Sequence, residues 1–454
     1  MYDFNFAFLT SARRIIFSTT TSLRYAFLLL LFLLPFLASS QNTKGVSIYS
    51  GKSVRVHPRY AVSIFSNLTN SGSFGSEKNA TVIFAGQRWI NKAGSTLPDE
   101  SISGVDGTGG TFKFAPAVSA AQYIDNQNSS QPGSGFPNMS IANSKDIILE
   151  GSDLAIRNNL NFETGHLVLN NRNAILGVKG SITGYDQNKY VVTGTGTSGG
   201  GLTRSISGQQ QGDIVFPVGT TLSSYTPASL TYVGIPQNLK VRVFENVYEK
   251  AVFGMLENFY SVNKTWHLSI SNADPKAVLN FNMQHNSIEE SSQFTTSRSQ
   301  SFVRRFLSQK NQYDNVPASG LTPGVITSAN PISNAFVSSR VNISDLSSNE
   351  YFTKSVQKGF DLARLRVPAG ISPNNDGLND RFVIENLNPS DKVRIEIYNK
   401  EQRSVFKDPD YKNTFEAVGN QNEFVNRTLP NGAYYYIINI SDGKSFRGFL
   451  IINR

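Results

Sequence analysis

The sequence predicts an all-β protein of several domains. Only 17% of its 454 residues are charged, and Gly, Ser, Thr and Asn are abundant instead. Long helices usually carry many Glu, Lys and Ala residues, whereas this composition suits short strands joined by polar turns. Apolar residues also alternate with polar ones over short runs, which is the period of a half-buried strand. The 31 Phe and 18 Tyr residues are enough to fill sizeable cores.

Residues 1–40 have the pattern of a secretory signal peptide. Three arginines precede an unbroken apolar run from Tyr25 to Ala38. As a helix this run would rise about 21 Å, which is short for a bilayer span. Ala38-Ser39-Ser40 supplies the small residues that a signal peptidase accepts. We therefore predict cleavage between Ser40 and Gln41, with an uncleaved anchor as the alternative.

The absence of cysteine and the spread of charge exclude several classes of function. With 0 Cys, the chain has no disulfides, no thiolate metal site and no Cys nucleophile. The formal net charge is +9, but the basic residues are spread along the chain. Nucleic-acid binding usually needs a clustered Lys/Arg patch. We therefore predict no nucleic-acid partner.

Residues 41–205 are predicted to form a β-helix-like or stacked β domain. Pairs of apolar residues separated by one residue recur with polar turns between them, as short inward-facing strands require. These pairs are Met139/Ile141, Ile147/Leu149, Leu154/Ile156, Leu160/Phe162, Leu167/Leu169 and Leu176/Val178. A right-handed β-helix or an open β-stack fits this pattern, and a sandwich is the alternative.

Residues 206–360 are predicted to form a β-sandwich. Trp266, Leu268 and Ile270 alternate with polar residues, as in a strand with one buried face. The segment 287–301 is rich in Ser, Thr and Gln, and 316–331 contains three prolines. We expect both segments to be exposed loops.

Residues 366–454 are predicted to form an immunoglobulin-like β-sandwich. Val393, Ile395 and Ile397 lie on one face of an alternating run. A turn at Leu429–Gly432 leads into an apolar strand, and the sequence SDGK at 441–444 is a tight hairpin signal. A last strand follows. Three or more strands in so short a segment are typical of a small antiparallel domain.

An ordered set of motif residues runs through this segment. The set is Ser372, Pro373, Asn374, Asp376, Gly377, Asn379, Asp380, Phe382, Leu429, Pro430, Gly432, Tyr434, Tyr436, Gly448, Leu450, Ile452 and Arg454. It resembles the gliding-motility-associated C-terminal domain, the type B sorting signal of type IX secretion. The resemblance implies a Bacteroidota surface protein that reaches the cell surface through the type IX machinery of the outer membrane, after export to the periplasm. The sequence departs from the family pattern at Asn375, at 399–402 and at 415–417.

The loop at 374–380 is also a candidate cation site. Asp376, Asn379 and Asp380 place oxygen ligands around a glycine turn, and calcium binds such oxygens. The spacing differs from that of a helix-loop-helix calcium site. The alternative is a turn in which these side chains bond the local backbone. No other cofactor is expected.

The sequence supplies no constellation typical of an enzyme. Its four histidines are scattered, and HExxH is absent from the sequence. The residues that could serve acid/base or sugar-stacking roles are His57, His166, His267, His285, Asp146, Glu150, Asp153, Glu163, Trp89, Tyr123 and Tyr185. We expect these residues to be structural or surface residues. The leading hypothesis is a non-enzymatic structural or adhesive surface protein that contacts surface polysaccharide or another cell. A polysaccharide-binding module and a β-helix lyase or glycosidase are the alternatives.

Overall fold

The computed structural model describes residues 45–128, 134–208, 212–272, 274–314, 316–317, 319–324, 326, 332–356, 366–385, 392–440 and 445–454. The predicted signal peptide and its cleavage site at Ser40 and Gln41 lie outside these ranges. The chain divides into two compact units, Met1–Gln357 and Lys358–Arg454. The all-β prediction is confirmed: strands dominate both units, and the described part has one α-helix, α1 (Ser292–Thr296). In these same ranges, helices long and apolar enough for a membrane span are absent.

The first unit starts with a stack of short parallel strands. The first nineteen strands are β1 (Val46–Ile48), β2 (Ser53–Val56), β3 (Ala61–Ile64), β4 (Leu68–Asn70), β5 (Ser73–Ser76), β6 (Thr81–Phe84), β7 (Arg88–Asn91), β8 (Thr111–Phe114), β9 (Gln122–Asn126), β10 (Phe136–Ala142), β11 (Ile147–Gly151), β12 (Leu154–Thr164), β13 (Leu167–Val168), β14 (Ala174–Leu176), β15 (Ser181–Thr183), β16 (Val191–Val192), β17 (Leu202–Ile206), β18 (Ile214–Phe216) and β19 (Val218–Gly219).

These strands build the walls of the stack. One wall has the order β1-β4-β7-β9-β11-β13-β16-β19, and a second has the order β3-β6-β8-β10-β12-β14-β17. All of these neighbours are parallel, so Leu68 lies between Val46 and Trp89 in register. Parallel neighbours need a crossover, and here each crossover passes through the opposite wall. The strands β2 and β5 form a short third wall.

Alternation along each strand directs the apolar side chains into the stack. In β8, Phe112 and Phe114 are buried while their neighbours are half-buried. Rings from successive turns of the chain pack edge to face, with Phe112 and Phe136 centroids 5.2 Å apart. Trp89 is fully buried among them. Buried aromatic rings therefore form a large part of the interior of the parallel stack.

Two details of the predicted repeat are wrong. Val178 is 63% exposed, and Ala174 with Leu176 provides the buried pair of β14. The residues 154–162, which the sequence suggested as two strands, belong to the single strand β12. The remaining apolar pairs of the repeat are buried.

The rest of the first unit is antiparallel. Its strands are β20 (Ala228–Val233), β21 (Gln237–Glu245), β22 (Tyr248–Lys250), β23 (Phe253–Leu256), β24 (Ser261–Ile270), β25 (Val278–Asn286), β26 (Phe302–Leu307), β27 (Gln312–Tyr313), β28 (Val316–Pro317), β29 (Ser319–Gly324), β30 (Ile332–Ile343) and β31 (Asn349–Ser355). The expected loop at 287–301 instead contains α1, whose N-terminus is capped by Ser291. Part of the expected loop at 316–331 forms β28 and β29.

Two sheets face each other in this part. The second wall of the stack continues without a break, because β17 pairs with β14 in parallel and with β21 antiparallel. It then runs on through β24, β31 and β26. The opposite sheet has the order β18-β20-β25-β30-β29. Phe281 and Phe352 meet between the sheets with ring centroids 4.9 Å apart.

The second unit contains one five-stranded sheet. Its strands are β32 (Gly370–Ile371), β33 (Val393–Tyr398), β34 (Ser404–Asp408), β35 (Gly432–Ile440) and β36 (Ser445–Ile452). The order is β32-β36-β35-β33-β34, antiparallel except for the parallel pair β32 and β36. The inner face packs on irregular segments that contribute the buried residues Phe382, Phe415 and Leu429.

Candidate functional site

The loop at 372–380 is held by the carboxylate of Asp380. One oxygen of Asp380 accepts hydrogen bonds from the backbone N–H groups of Asn374 and Asn375 at 2.9 and 2.7 Å. The other accepts from Gly377 N–H at 2.9 Å. Ser372 closes the loop by donating its N–H to the carbonyl of Asn379. Three backbone donors thus converge on one side chain and fix the turn.

Asp376 has a similar role within the same loop. It accepts from Leu378 N–H at 2.7 Å and from the side-chain amide of Asn374 at 2.9 Å. The hydrogen bond from Leu378 lowers the pKa of the Asp376 carboxyl. All four carboxylate oxygens of Asp376 and Asp380 therefore accept hydrogen bonds from the loop itself. Of the two interpretations of this loop, the contacts favour the turn over the cation site, while calcium binding stays a prediction.

The turn at 429–434 places one motif residue in the core and uses another to close the turn. The Leu429 side chain is fully buried, and Tyr434 donates its hydroxyl proton to the carbonyl of Pro430 at 2.9 Å. Gly432 has φ +152°, a region that other residues rarely adopt. The sequence thus supplies glycine at the first residue of β35, where the backbone conformation requires it.

Gly448 leaves room for an aromatic ring on the neighbouring strand. Tyr436 lies directly opposite Gly448 in the antiparallel register. A Cβ atom at position 448 would lie 2.5 Å from Cζ of the Tyr436 ring. The ring covers the glycine and packs on Phe382, with centroids 5.4 Å apart. Two motif residues on β35 and β36 thus form one packing unit.

Arg454 ties the last residues to the middle of the second unit. Its guanidinium donates to the carbonyl of Leu429 at 2.6 Å and to the carbonyl of Ala417 at 3.3 Å. Both carbonyls belong to segments that cover the inner face of the sheet. A planar guanidinium with several fixed donors suits such a bridge better than an ammonium group would.

The positions that depart from the family pattern are structured in their own way. Asn399 accepts at its side-chain oxygen from the N–H groups of Glu401 and Arg403, which shapes the turn between β33 and β34. Phe415 and Ala417 are buried, and Glu416 between them pairs with Arg381. Side-chain hydrogen bonds thus shape the turn at 399–403, and core packing holds the segment 415–417.

The four histidines lie apart in the first unit. His57 is exposed and lies 3.3 Å from Glu77. His166 contacts Asp146 at 2.8 Å through Nδ1. His267 stacks on Tyr351 and bonds Asn349, and burial lowers its pKa to about 4. His285 is completely buried. Over the described ranges, His, Asp and Glu residues form no group able to hold a metal ion.

The four candidate carboxylates each bond a neighbour. Asp146 accepts from the backbone N–H of His166 at 2.9 Å as well as from its ring. Asp153 accepts from the backbone and side chain of Asn173. Glu150 and Glu163 lie on different walls of the stack. Glu150 pairs with Arg88. Glu163 accepts hydrogen bonds from Lys113 and Ser140. These contacts join different turns of the stack, and those of Glu150 with Arg88 and of Glu163 with Lys113 reach past one intervening strand.

The three candidate sugar-stacking aromatics have packing partners. Trp89 is buried in the stack and donates its ring N–H to Asn91 at 2.9 Å. Tyr123 is half-buried beneath Arg88, whose guanidinium lies 5.0 Å from the ring centroid. Tyr185 packs against the main core. The structure thus places all three against protein groups.

The sequence did not predict a buried network of charged side chains in the first unit. Lys354 contacts His285, His285 contacts Glu290, and Glu290 binds Arg298 through both carboxylate oxygens. Residues 285–298 bring three of its members together, but Lys354 comes from β31, far along the chain. A local pattern could at most have singled out the adjacent acids Glu289 and Glu290 in an otherwise polar segment.

Comparison with known proteins identifies the second unit. Residues 365–452 match the family model of the CHU_C Type IX secretion signal domain. Searches of curated proteins and of solved structures each returned no match. The predicted sorting domain is therefore confirmed, and it implies contact with the type IX secretion machinery. Residues 365–452 are the type IX secretion signal domain of this chain, which directs its export to the cell surface or the extracellular space.

Proposed function

We propose that the first unit is a structural or adhesive module displayed at the cell surface by the sorting domain. The observation that carries the proposal is the combination of this domain with a long parallel β-stack that exposes aromatic side chains in the connections next to β1 and β3. Tyr49, Tyr60 and Phe65 are 73%, 69% and 72% exposed. Large exposed aromatics often mark contact surfaces, since one ring provides much contact area at little entropic cost.

We further propose that the chain is not an enzyme. This proposal is supported by the contacts of the candidate carboxylates, each of which already joins two different turns of the stack. A signal peptide at residues 1–40, cleavage after Ser40 and an origin in Bacteroidota complete the proposal. Surface polysaccharide or another cell is the proposed partner, and nucleic acid is not.

Deleting Ile371–Arg454 from the precursor tests the delivery part of the proposal. In a host with type IX secretion, the full chain should be degraded by protease added to intact cells. The truncated chain should be protected and should accumulate in the periplasm. Surface display of the truncated chain would contradict the assigned role of the sorting domain.

An adhesion assay tests the surface role. Cells that display the full chain should adhere to polysaccharide-coated surfaces or to other cells more than cells that lack it. The triple variant Tyr49→Ser, Tyr60→Ser, Phe65→Ser should lose most of this gain. The variant Lys52→Ser, exposed in the same region, is the matched control and should retain it. Equal adhesion with and without the protein would overturn the proposal.

A further inference from the structure

A polar pocket of about 630 Å³ opens on the first unit. Its walls come from four separate segments: the loop 221–224 after β19, the end of β21, the start of β24 and the turn that precedes α1. Ligand pockets for small molecules typically have volumes of about 300–1,000 Å³. The pocket therefore has the size of a small-molecule site, and its lining determines which chemistry it fits.

Lys264 lies at the centre of this lining. Its side chain is only 3% exposed, and its Nζ lies 3.4 Å from Oε1 of Glu289 and 3.7 Å from Oε1 of Glu245. Both separations exceed the usual length of a charge-assisted hydrogen bond, about 2.7–2.9 Å. Among the described residues, Nζ of Lys264 makes ion pairs but no hydrogen bond of that length. A buried ammonium thus faces the pocket with donors still available.

The carboxylate of Glu289 is fixed by its other contacts. It accepts from the hydroxyl of Ser224 and from Asn286 N–H at 2.8 Å. Ser261 also lines the pocket, and its buried hydroxyl oxygen has no hydrogen-bond partner within the described part of the chain. Buried polar atoms without partners are rare in proteins and call for an explanation. A bound polar molecule would supply the missing partner.

The charges in the lining indicate the class of that molecule. The lining contains the carboxylates of Glu245, Glu289 and Glu290 and the ammonium of Lys264, so a further anion would be repelled. Adjacent hydroxyl groups of a sugar can accept from an ammonium and donate to a carboxylate at the same time. Ile288, 90% exposed at the edge of the pocket, offers an apolar contact for the C–H face of a sugar ring. Neutral sugars fit this combination better than acids or apolar ligands.

We propose that this pocket binds a neutral monosaccharide or disaccharide unit, with Lys264 donating to its hydroxyls and Glu245 and Glu289 accepting from them. This inference rests on the proposed surface function and specifies the chemistry of one of its contacts. The sequence predicts surface polysaccharide as a partner, but no residues could be assigned to that contact from the sequence.

Calorimetric titration of the purified mature chain tests the site. The probes are glucose, mannose, galactose, N-acetylglucosamine and maltose, with glucuronate as the charged comparison. At least one neutral sugar should bind, and glucuronate should bind more weakly than glucose. Glu245→Gln, at a partly exposed position, should weaken binding by about tenfold, because it removes a charged acceptor. Ile288→Ser should weaken it by a smaller factor.

Glu249→Gln is the matched control. Glu249 is 37% exposed at its side chain and pairs with Lys250 away from the pocket lining, so binding should be unchanged. Failure of every neutral sugar to bind, equal binding by Glu245→Gln, or preference for glucuronate would each overturn the inference. The titration needs no export and no cells. If the purified chain binds no sugar but cells that display it still adhere, the pocket proposal is rejected and the surface role stands. If the chain binds sugar but the cells do not adhere, the surface role is rejected and the pocket stands.

Discussion

Nζ of Lys354 lies 2.9 Å from Nδ1 of His285, and both side chains are completely buried. The ammonium also donates to the carbonyls of Met283 and Phe336, at 2.6 and 3.1 Å. Nε2 of His285 lies 2.9 Å from the carboxylate of Glu290, which can only accept, so a neutral His285 carries its proton on Nε2 and leaves Nδ1 to accept from Lys354. The contacts therefore specify the tautomer of the neutral histidine.

The stability of the first unit should fall when the pH drops below about 6.5. Burial, aided by the charge of Lys354, lowers the pKa of His285 to about 3, and burial lowers that of His267 to about 4. In the unfolded chain both groups titrate near pH 6.5. Between these values the unfolded chain binds protons that the folded chain does not, so acid favours unfolding. Each histidine should contribute a slope of at most about 1.4 kcal/mol per pH unit.

Urea unfolding of the mature chain between pH 7.5 and pH 4.5 measures this slope. Both tryptophans, Trp89 and Trp266, lie in the first unit, so their fluorescence reports that unit. His285→Gln should lower stability at neutral pH and flatten the slope. His57→Gln, at an exposed position, is the control for the substitution itself and should leave the stability at neutral pH nearly unchanged. A stability independent of pH over this range would show that the two histidines take up protons at the same pH in the folded and the unfolded chain.

The loop of the sorting domain should depend on Asp380 and not on calcium. Asp380→Asn replaces one acceptor oxygen by a donor and should destabilise the second unit by about 1 kcal/mol. Asp410→Asn, at an exposed carboxylate of the same unit, is the control. The measurement is thermal unfolding of the mature chain by circular dichroism, with calcium and with a chelator. A transition that rises with calcium would restore the interpretation of the loop as a cation site.

Gly448→Ala should destabilise the second unit by about 1–3 kcal/mol, because the added methyl group overpacks against the ring of Tyr436. Denaturation followed by the amide signals of β35 and β36 measures this loss. The tryptophan transition of the first unit should stay unchanged and serves as an internal control. If the clash is the cause, Gly448→Ala should lower the free energy of unfolding less in a chain that already carries Tyr436→Ala than in the wild-type chain. If the losses in free energy caused by the two substitutions simply add, the clash is not the cause.

The sequence predicted local structure best where that structure depends on residues close to one another along the chain. The loop at 372–380 uses side chains that bond backbone groups within six residues, so its turn could be anticipated from the motif alone. Alternation likewise identified the buried residues of β24 and β33. Val178 was misassigned because a single apolar residue after a glycine fits the period equally well whether it faces the core or a turn.

Long-range partners could not be obtained in this way. Lys354 meets His285 only because β31 and β25 lie on sheets that face each other, and no local pattern records which strands will do so. The pocket around Lys264 has the same origin, since its lining comes from four segments of the first unit. Ionisable residues in strands look like surface residues in a sequence, and only the packing of the two sheets buries them.

The place of β36 in the second unit has a consequence for how the cell treats incomplete chains. This strand, Ser445–Ile452, lies between β32 and β35, and Arg454 anchors the segments beneath it. A polypeptide that stops before residue 445 lacks β36, so β32 loses its neighbour and β35 loses one of its two. We therefore expect such an incomplete chain to lack the complete sheet of the sorting domain and to be left unsecreted by the type IX machinery.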